Sequence, residues 1–69
     1  MSEEFAIRGD TIRLGQLLKA AGLADSGADA KVVLAEDGVT VNGEPETRRG
    51  RQIRAGDVVV AHGREIRAV

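Results

Sequence analysis

Leu14, Leu17, Leu18 and Ala21 recur three and four residues apart, the spacing of one helical face, and leave Gln16, Lys19 and Ala20 outward. Gly22 supplies a stop, and Leu23 just beyond it can fold back on the last turn. After the linker Ala24-Asp25, Ser26 is placed to cap a second helix, with Asp29 at its third position facing the positive end of the dipole. The apolar positions of this second helix run almost all the way round. Ala30, Val33 and Leu34 fall on one side, and Ala28, Val32 and Ala35 on the other. Asp29 and Glu36 share a narrow polar stripe, and Lys31 points well away from it. That distribution predicts a helix wedged between two layers, with its N-terminus open and Gly38 as its stop.

Beyond Gly38 the period changes from helical to extended. Val39-Thr40-Val41 is β-branched throughout, and Asn42-Gly43 signals a two-residue hairpin turn. Glu44 to Gln52 has no apolar side chain except Pro45 and predicts a flexible loop, with three arginines in four positions. Ile53 stands alone before the turn Ala55-Gly56-Asp57. Val58-Val59-Val60-Ala61 predicts a strand buried on both faces, His62-Gly63 a third turn, and Glu65 to Val69 a final alternating strand paired with the one before. At the other end, the residues through Arg8 predict a short edge strand with Phe5 and Ile7 facing the same way, and Gly9-Asp10-Thr11 a turn approaching the first helix. The expected architecture is α+β: one domain over residues 1–69, with two short helices followed by a small antiparallel sheet.

Composition narrows the function classes. A domain of 69 residues buries only about 60% of its unfolded surface and houses no deep active site. Phe5 is the only aromatic residue, so the core is aliphatic. With no cysteine there is no disulfide framework, thiol nucleophile or thiolate metal site. The start, MSEEF, carries acids where a signal peptide needs bases, and no apolar run approaches membrane-spanning length. The expectation is a cytoplasmic monomer without metal or cofactor. The net charge of −1 conceals an asymmetry. Residues 1–46 set Arg8, Arg13, Lys19 and Lys31 against nine acids, whereas residues 47–69 set six arginines against Asp57 and Glu65. The whole chain is no general polyanion binder, but its second part predicts a local anion-facing patch.

Catalysis has little support. His62 sits in a tight turn, where a polar residue is the usual choice. Glu44 and Glu46 flank a proline in the loop, with no sign of the apolar burial that tunes a carboxyl pKa. The glycines sit singly at turns and form no phosphate-cradling pattern. An anion site has more. Ser26 and Gly27 open a helix whose unpaired N–H groups suit a phosphate, and Gly27 lets another backbone approach closely. Lys31 lies one turn on, and Arg48, Arg49 and Arg51 sit in the loop beyond the hairpin that follows the same helix. The alternative is ordinary capping beside a solvated basic loop.

These residues resemble a known family. Arg13-Leu14, Leu17-Leu18, Ala21-Gly22-Leu23, Ser26, Ala30-Lys31, Gly38-Val39-Thr40-Val41-Asn42-Gly43 and Gly56-Asp57 follow the pattern of the S-four RNA-binding domain, also called the αL motif. The resemblance spans Arg13 to about Val60. Ser-Gly-Ala-Asp-Ala-Lys over 26–31 and Glu-Thr-Arg-Arg over 46–49 look most like its small stand-alone bacterial members, the YbcJ-like group. The resemblance implies RNA binding through the N-terminal half of the second helix and the loop and strand behind it. Carried over by position, it points to Ser26, Gly27, Ala30, Lys31, Asn42, Arg48 and Arg49. Two positions depart from the pattern: Gly27 stands where many members have arginine, and Gly15 where an acid is common. With one phenylalanine there is no stacking platform, so recognition would rest on helical shape and backbone phosphates.

The sequence therefore predicts a non-enzymatic module contacting structured RNA, ribosomal RNA included. A protein-interaction module whose arginine loop meets an acidic partner is the alternative. A ubiquitin-like sulfur carrier shares the Val-Asn-Gly-Glu hairpin and Gly-Asp-x-Val, but such carriers end in Gly-Gly, and residues 67–69 here read Arg-Ala-Val.

Overall fold

The computed structural model describes residues 2–69; Met1, at the head of the expected first strand, lies outside the described residues. In chain order the elements are β1 (Ser2–Phe5), β2 (Thr11–Arg13), α1 (Leu14–Ala20), α2 (Gly27–Glu36), β3 (Thr40–Val41), β4 (Glu44–Pro45), β5 (Gln52–Arg54), β6 (Val58–Ala61) and β7 (Arg64–Ala68). Five strands form a sheet in the order β1-β7-β6-β3-β4, and β2 pairs with β5 in a separate antiparallel ribbon. The fold class is α+β, as the pattern predicts. The large sheet is mostly antiparallel, with one parallel pair, β1 on β7.

The start of α2 and the end of α1 follow local rules. Ser26 accepts a hydrogen bond from the Asp29 N–H at 3.0 Å, and the Asp25 N–H donates to Asp29 Oδ2 at 2.8 Å, so Ser26 caps the backbone of Asp29 while Asp29 reaches back to that of Asp25. At the end of α1 the Leu23 N–H reaches the Leu18 carbonyl at 2.8 Å and the Gly22 N–H reaches that of Lys19 at 3.1 Å. This paired closure turns the chain sharply and buries Leu23. The turn Asn42-Gly43 has φ of 53° and 84°, and His62-Gly63 has 53° and 72°. Positive φ at both central residues is the twist that joins adjacent antiparallel strands with two residues.

The core lies on one face of the large sheet. Val41, Val59 and Ile66 stand in one row across β3, β6 and β7, and α1 and α2 cover that row with Leu14, Leu17, Leu18, Ala30, Val33 and Leu34. Thr40, Val60 and Glu65 form the row on the other face, which faces solvent or is partly covered. β6 is thus fully buried on its Val59 and Ala61 side only, and the expected burial on both faces is corrected.

Four further expectations change. α2 is not wedged between layers: Ala28, Val32 and Ala35 are exposed, Val32 by 48%. A chain this short supplies one layer against the helix and no second to cover its back. Thr11 does not lead directly into α1. Residues 11–13 form β2, paired with residues 52–54, and α1 starts at Leu14 with no side-chain cap. Ile53, which looks isolated in sequence, is fully buried opposite Ile12. Close approach occurs at Gly15 rather than Gly27. The Gly15 N–H donates to the Arg49 carbonyl at 3.0 Å, and a Cβ at Gly15 would meet Arg49 Cβ at 3.4 Å. At Gly27 a Cβ would meet only the Arg49 guanidinium, at 3.7 Å.

Candidate functional site

The arginine segment is held in place by one buried acid. Glu46 is 7% exposed, and its carboxylate accepts five hydrogen bonds. Oε2 takes the Thr47 and Arg48 N–H groups at 3.0 and 3.1 Å and Arg48 Nε at 3.1 Å. Oε1 takes Arg48 Nη2 at 3.1 Å and Arg51 Nη1 at 2.9 Å. The Arg48 guanidinium, then that of Arg51, holds this carboxyl well below the usual range of a glutamate, and Glu46 in turn raises Arg48. The segment is therefore not a free loop, and Glu46 is the buried, tuned carboxyl that the sequence gives no sign of. Its tuning keeps it ionised and paired, which orders the loop and leaves no proton to exchange near neutral pH. Arg48 still presents an outer surface, with its side chain 74% exposed.

Arg49 has different partners. Its carbonyl is fixed on the Gly15 N–H, and its Nη1 reaches the Gly27 carbonyl at 3.4 Å. The side chain thus lies across the start of α2. Around it Arg13, Gly15, Gln16, Lys19, Gly27, Ala30 and Gly50 line a groove of about 320 Å³. Gly50 also borders a second depression of about 440 Å³, lined by Arg48, Arg51, Gln52 and Arg54. Arg13, Lys19, Arg48, Arg49, Arg51 and Arg54, six of the ten basic residues, thereby line two adjoining concavities that carry no carboxylate among their described lining residues. The ribbon explains how. Ile12 and Ile53 point into the core, which turns their neighbours Thr11, Arg13, Gln52 and Arg54 to the other face. Two basic segments far apart in sequence, residues 13–19 and 48–54, meet there beside the start of α2, and such a surface concentrates anions.

The sequence-derived candidates divide. Gly27, Ala30 and Arg49 share the first groove, and Ser26 sits beside it as the cap of α2. The first two N–H groups of α2 have no acceptor inside the helix. Asp29, however, places a carboxylate at this same helix end. Arg48 and Arg51 line the second depression. Lys31 is exposed and lines neither. Asn42 is occupied within the fold: its Oδ1 accepts from the Val58 N–H at 2.9 Å and its Nδ2 donates to Asp57 at 3.1 Å. Sequence reasoning placed Arg13 in the family pattern and Gln16 and Lys19 on the outer face of α1, but did not assign them or Arg54 to a site. The signal available for α1 was the i, i+3 spacing of Gln16 and Lys19 beside Gly15.

No group of three or more metal-ligating side chains occurs among the described residues, and no described helix is long and apolar enough to cross a membrane.

The model of the S4 domain matches residues 5–69 of this chain. A protein of Bacillus subtilis (strain 168), "Probable ribosome maturation protein RlbA", is 46% identical over 63 residues, which cover 91% of this chain and 89% of that protein. "Putative RNA-binding protein YbcJ" of Escherichia coli (strain K12) is 41% identical over 58 residues, covering 84% of this chain and 83% of that one. The solution structure of YbcJ from E. coli, described as revealing an αL motif involved in RNA binding, superposes with a TM-score of 0.74 at 36% identity. That superposition covers 100% of this chain and 89% of that one. By motif, by architecture and by these matches, the chain belongs to the S4 domain family.

Proposed function

We propose that this protein is a non-enzymatic, monomeric RNA-binding module that holds structured RNA of the ribosomal kind against the two adjoining basic concavities, one of them at the start of α2. The observation that carries the reading is the gathering of Arg13, Lys19, Arg48, Arg49, Arg51 and Arg54 along two adjoining concavities, the first bordered by Gly27 and Ala30, with no acid among their described lining residues. The naming of YbcJ for RNA binding and of RlbA for ribosome maturation agrees with it. Phosphates are the ligand chemistry. Arginine offers a planar fork of donors to phosphate oxygens, and the helix end adds unpaired N–H groups. Duplex RNA presents regularly spaced phosphates along a wide, shallow minor groove, a target read by shape rather than base edges. A rigid cluster of arginines on a surface poor in aromatics suits that target. Ser26, Gly27 and Ala30 would set the surface against which the backbone rests, while Arg48, Arg49 and Arg51 would pair with it. Lys31 and Asn42 would act from the periphery, Asn42 by fixing the hairpin.

The test is fluorescence anisotropy with a labelled RNA hairpin. Arg49→Ala should weaken binding several-fold, whereas Arg67→Ala, on β7 away from both concavities, should change it little. Equal loss in both variants would reduce the surface to diffuse charge and refute the assignment. Displacement of protein from RNA by polyglutamate far more readily than by unlabelled hairpin would favour an acidic protein partner instead.

A further inference from the structure

A third concavity adjoins the α2 groove along α1. It has a volume of about 620 Å³, within the ~300–1,000 Å³ of ordinary ligand sites. Phe5 and Ile12, both packed against the core, and Ala20 give it an apolar wall. Arg8, Lys19 and Gln16 supply its exposed polar groups. Gln16 and Lys19 also line the groove at the start of α2, so the two concavities run into one another across a single helical face. Their characters differ. The α2 groove is arginine on glycine and alanine, suited to backbone phosphate. This one offers the chain's only aromatic side chain, a neutral amide with both donors and an acceptor, and a cation on each flank.

An unpaired base next to a duplex needs what this groove supplies. Its flat face must leave water against an apolar or guanidinium surface, its polar edge needs a donor and an acceptor, and its own phosphate needs a cation. We propose that this groove binds one unpaired nucleotide, bulged or terminal, of the same RNA whose duplex phosphates lie in the α2 groove. The inference rests on the RNA-binding reading above. It adds a preference: the protein selects helices interrupted by an unpaired nucleotide over uninterrupted ones. Lys19, shared by both grooves, would take the phosphate at the junction, and Gln16 the edge of the base.

Two labelled probes test this with the full chain: a fully paired RNA hairpin, and the same hairpin carrying one extra unpaired adenosine in its stem. The wild-type protein should bind the bulged hairpin about fivefold tighter or more, the low end of what stacking one base contributes. Ala20→Leu fills the groove without changing charge. It should abolish the preference while leaving affinity for the paired hairpin within about twofold. Ala6→Leu, which also lines only this groove and lies outside the strands, should do the same and decides the matter if Ala20→Leu does not fold. Equal wild-type affinity for the two hairpins, or a preference that survives the folded variants, overturns this inference and leaves the RNA-binding reading standing. Binding to neither hairpin overturns both.

Discussion

Ile53 carries the structural account of how the basic face is built, and replacing it has a calculable cost. Its side chain is fully buried, opposite Ile12 on the two-stranded ribbon, and its burial is what turns Gln52 and Arg54 outward. Ile53→Val removes one methylene group from a site with no exposure, a loss of about 0.5–1.5 kcal/mol. A domain of this size shifts its melting temperature by about 4–8 °C per kcal/mol, so the expected fall is roughly 2–12 °C. Ile53→Ala should cost about 2–5 kcal/mol. At about 0.05–0.15 kcal/mol per residue the whole chain holds only roughly 3.5–10 kcal/mol, so the alanine variant should lose a large share of it and melt roughly 8–40 °C below the parent. Thermal melts followed by circular dichroism measure both. Ile53→Val touches no proposed phosphate contact, so well below its melting temperature it should bind RNA within about twofold of wild type. The reasoning fails if both variants melt within a degree of the parent. That is the behaviour of a residue in an exposed loop, where substitutions stay within about 0.5 kcal/mol.

Other outcomes follow from the same contacts. Glu46→Gln places an amide where the carboxylate accepts five hydrogen bonds, so it should lower the melting temperature at pH 7 and weaken RNA binding by loosening Arg48 and Arg51. Because folding lowers the Glu46 pKa, its contribution is present above the ordinary value of 4.5 and is lost as pH falls below it. The wild-type and Glu46→Gln melting temperatures should therefore converge in acid, and a gap that stays constant from pH 7 to pH 3 would contradict the pairing. Gly43→Val forces a β-branched residue to a φ of 84° and should destabilise the hairpin and displace the segment that follows. A variant with unchanged melting and unchanged RNA binding would mean that the turn does not position the arginines.

Much of this fold was legible because its signals are local. The Ser26–Asp29 cap, the closure at Gly22-Leu23 and the two-residue turns at Asn42-Gly43 and His62-Gly63 each depend on residues within a few positions of one another. The ribbon was not legible. Its strands are three residues each and lie about forty positions apart, so neither shows a period long enough to read. Glu46 was hidden for a related reason. A carboxylate among arginines reads as solvated, and only the folded path brings guanidiniums two and five residues on to the same two oxygens. The outer side of α2 misled in the opposite direction: alanine and valine there read as core, yet a chain this small leaves them in water. The basic site was half legible. The arginine run after the hairpin is visible in sequence, but its partners Arg13, Gln16 and Lys19 come from a different segment, brought beside it by Gly15 and the Arg49 carbonyl.

The central claim is that a defined set of side chains on one face neutralises RNA phosphates, and the salt dependence of binding counts them. Arg13, Lys19 and Arg49 share the groove at the start of α2. The measurement is the slope of log affinity against log salt for the wild type and for the triple variant Arg13→Ala, Lys19→Ala, Arg49→Ala, with Arg67→Ala as control, on one structured RNA. Each lost phosphate contact should reduce the magnitude of the slope by roughly 0.7–0.9, so the triple variant should lose about 2–3 in all. Arg67→Ala should leave the slope unchanged. An unchanged slope in the triple variant, or an equal loss per residue at Arg67, would contradict the account.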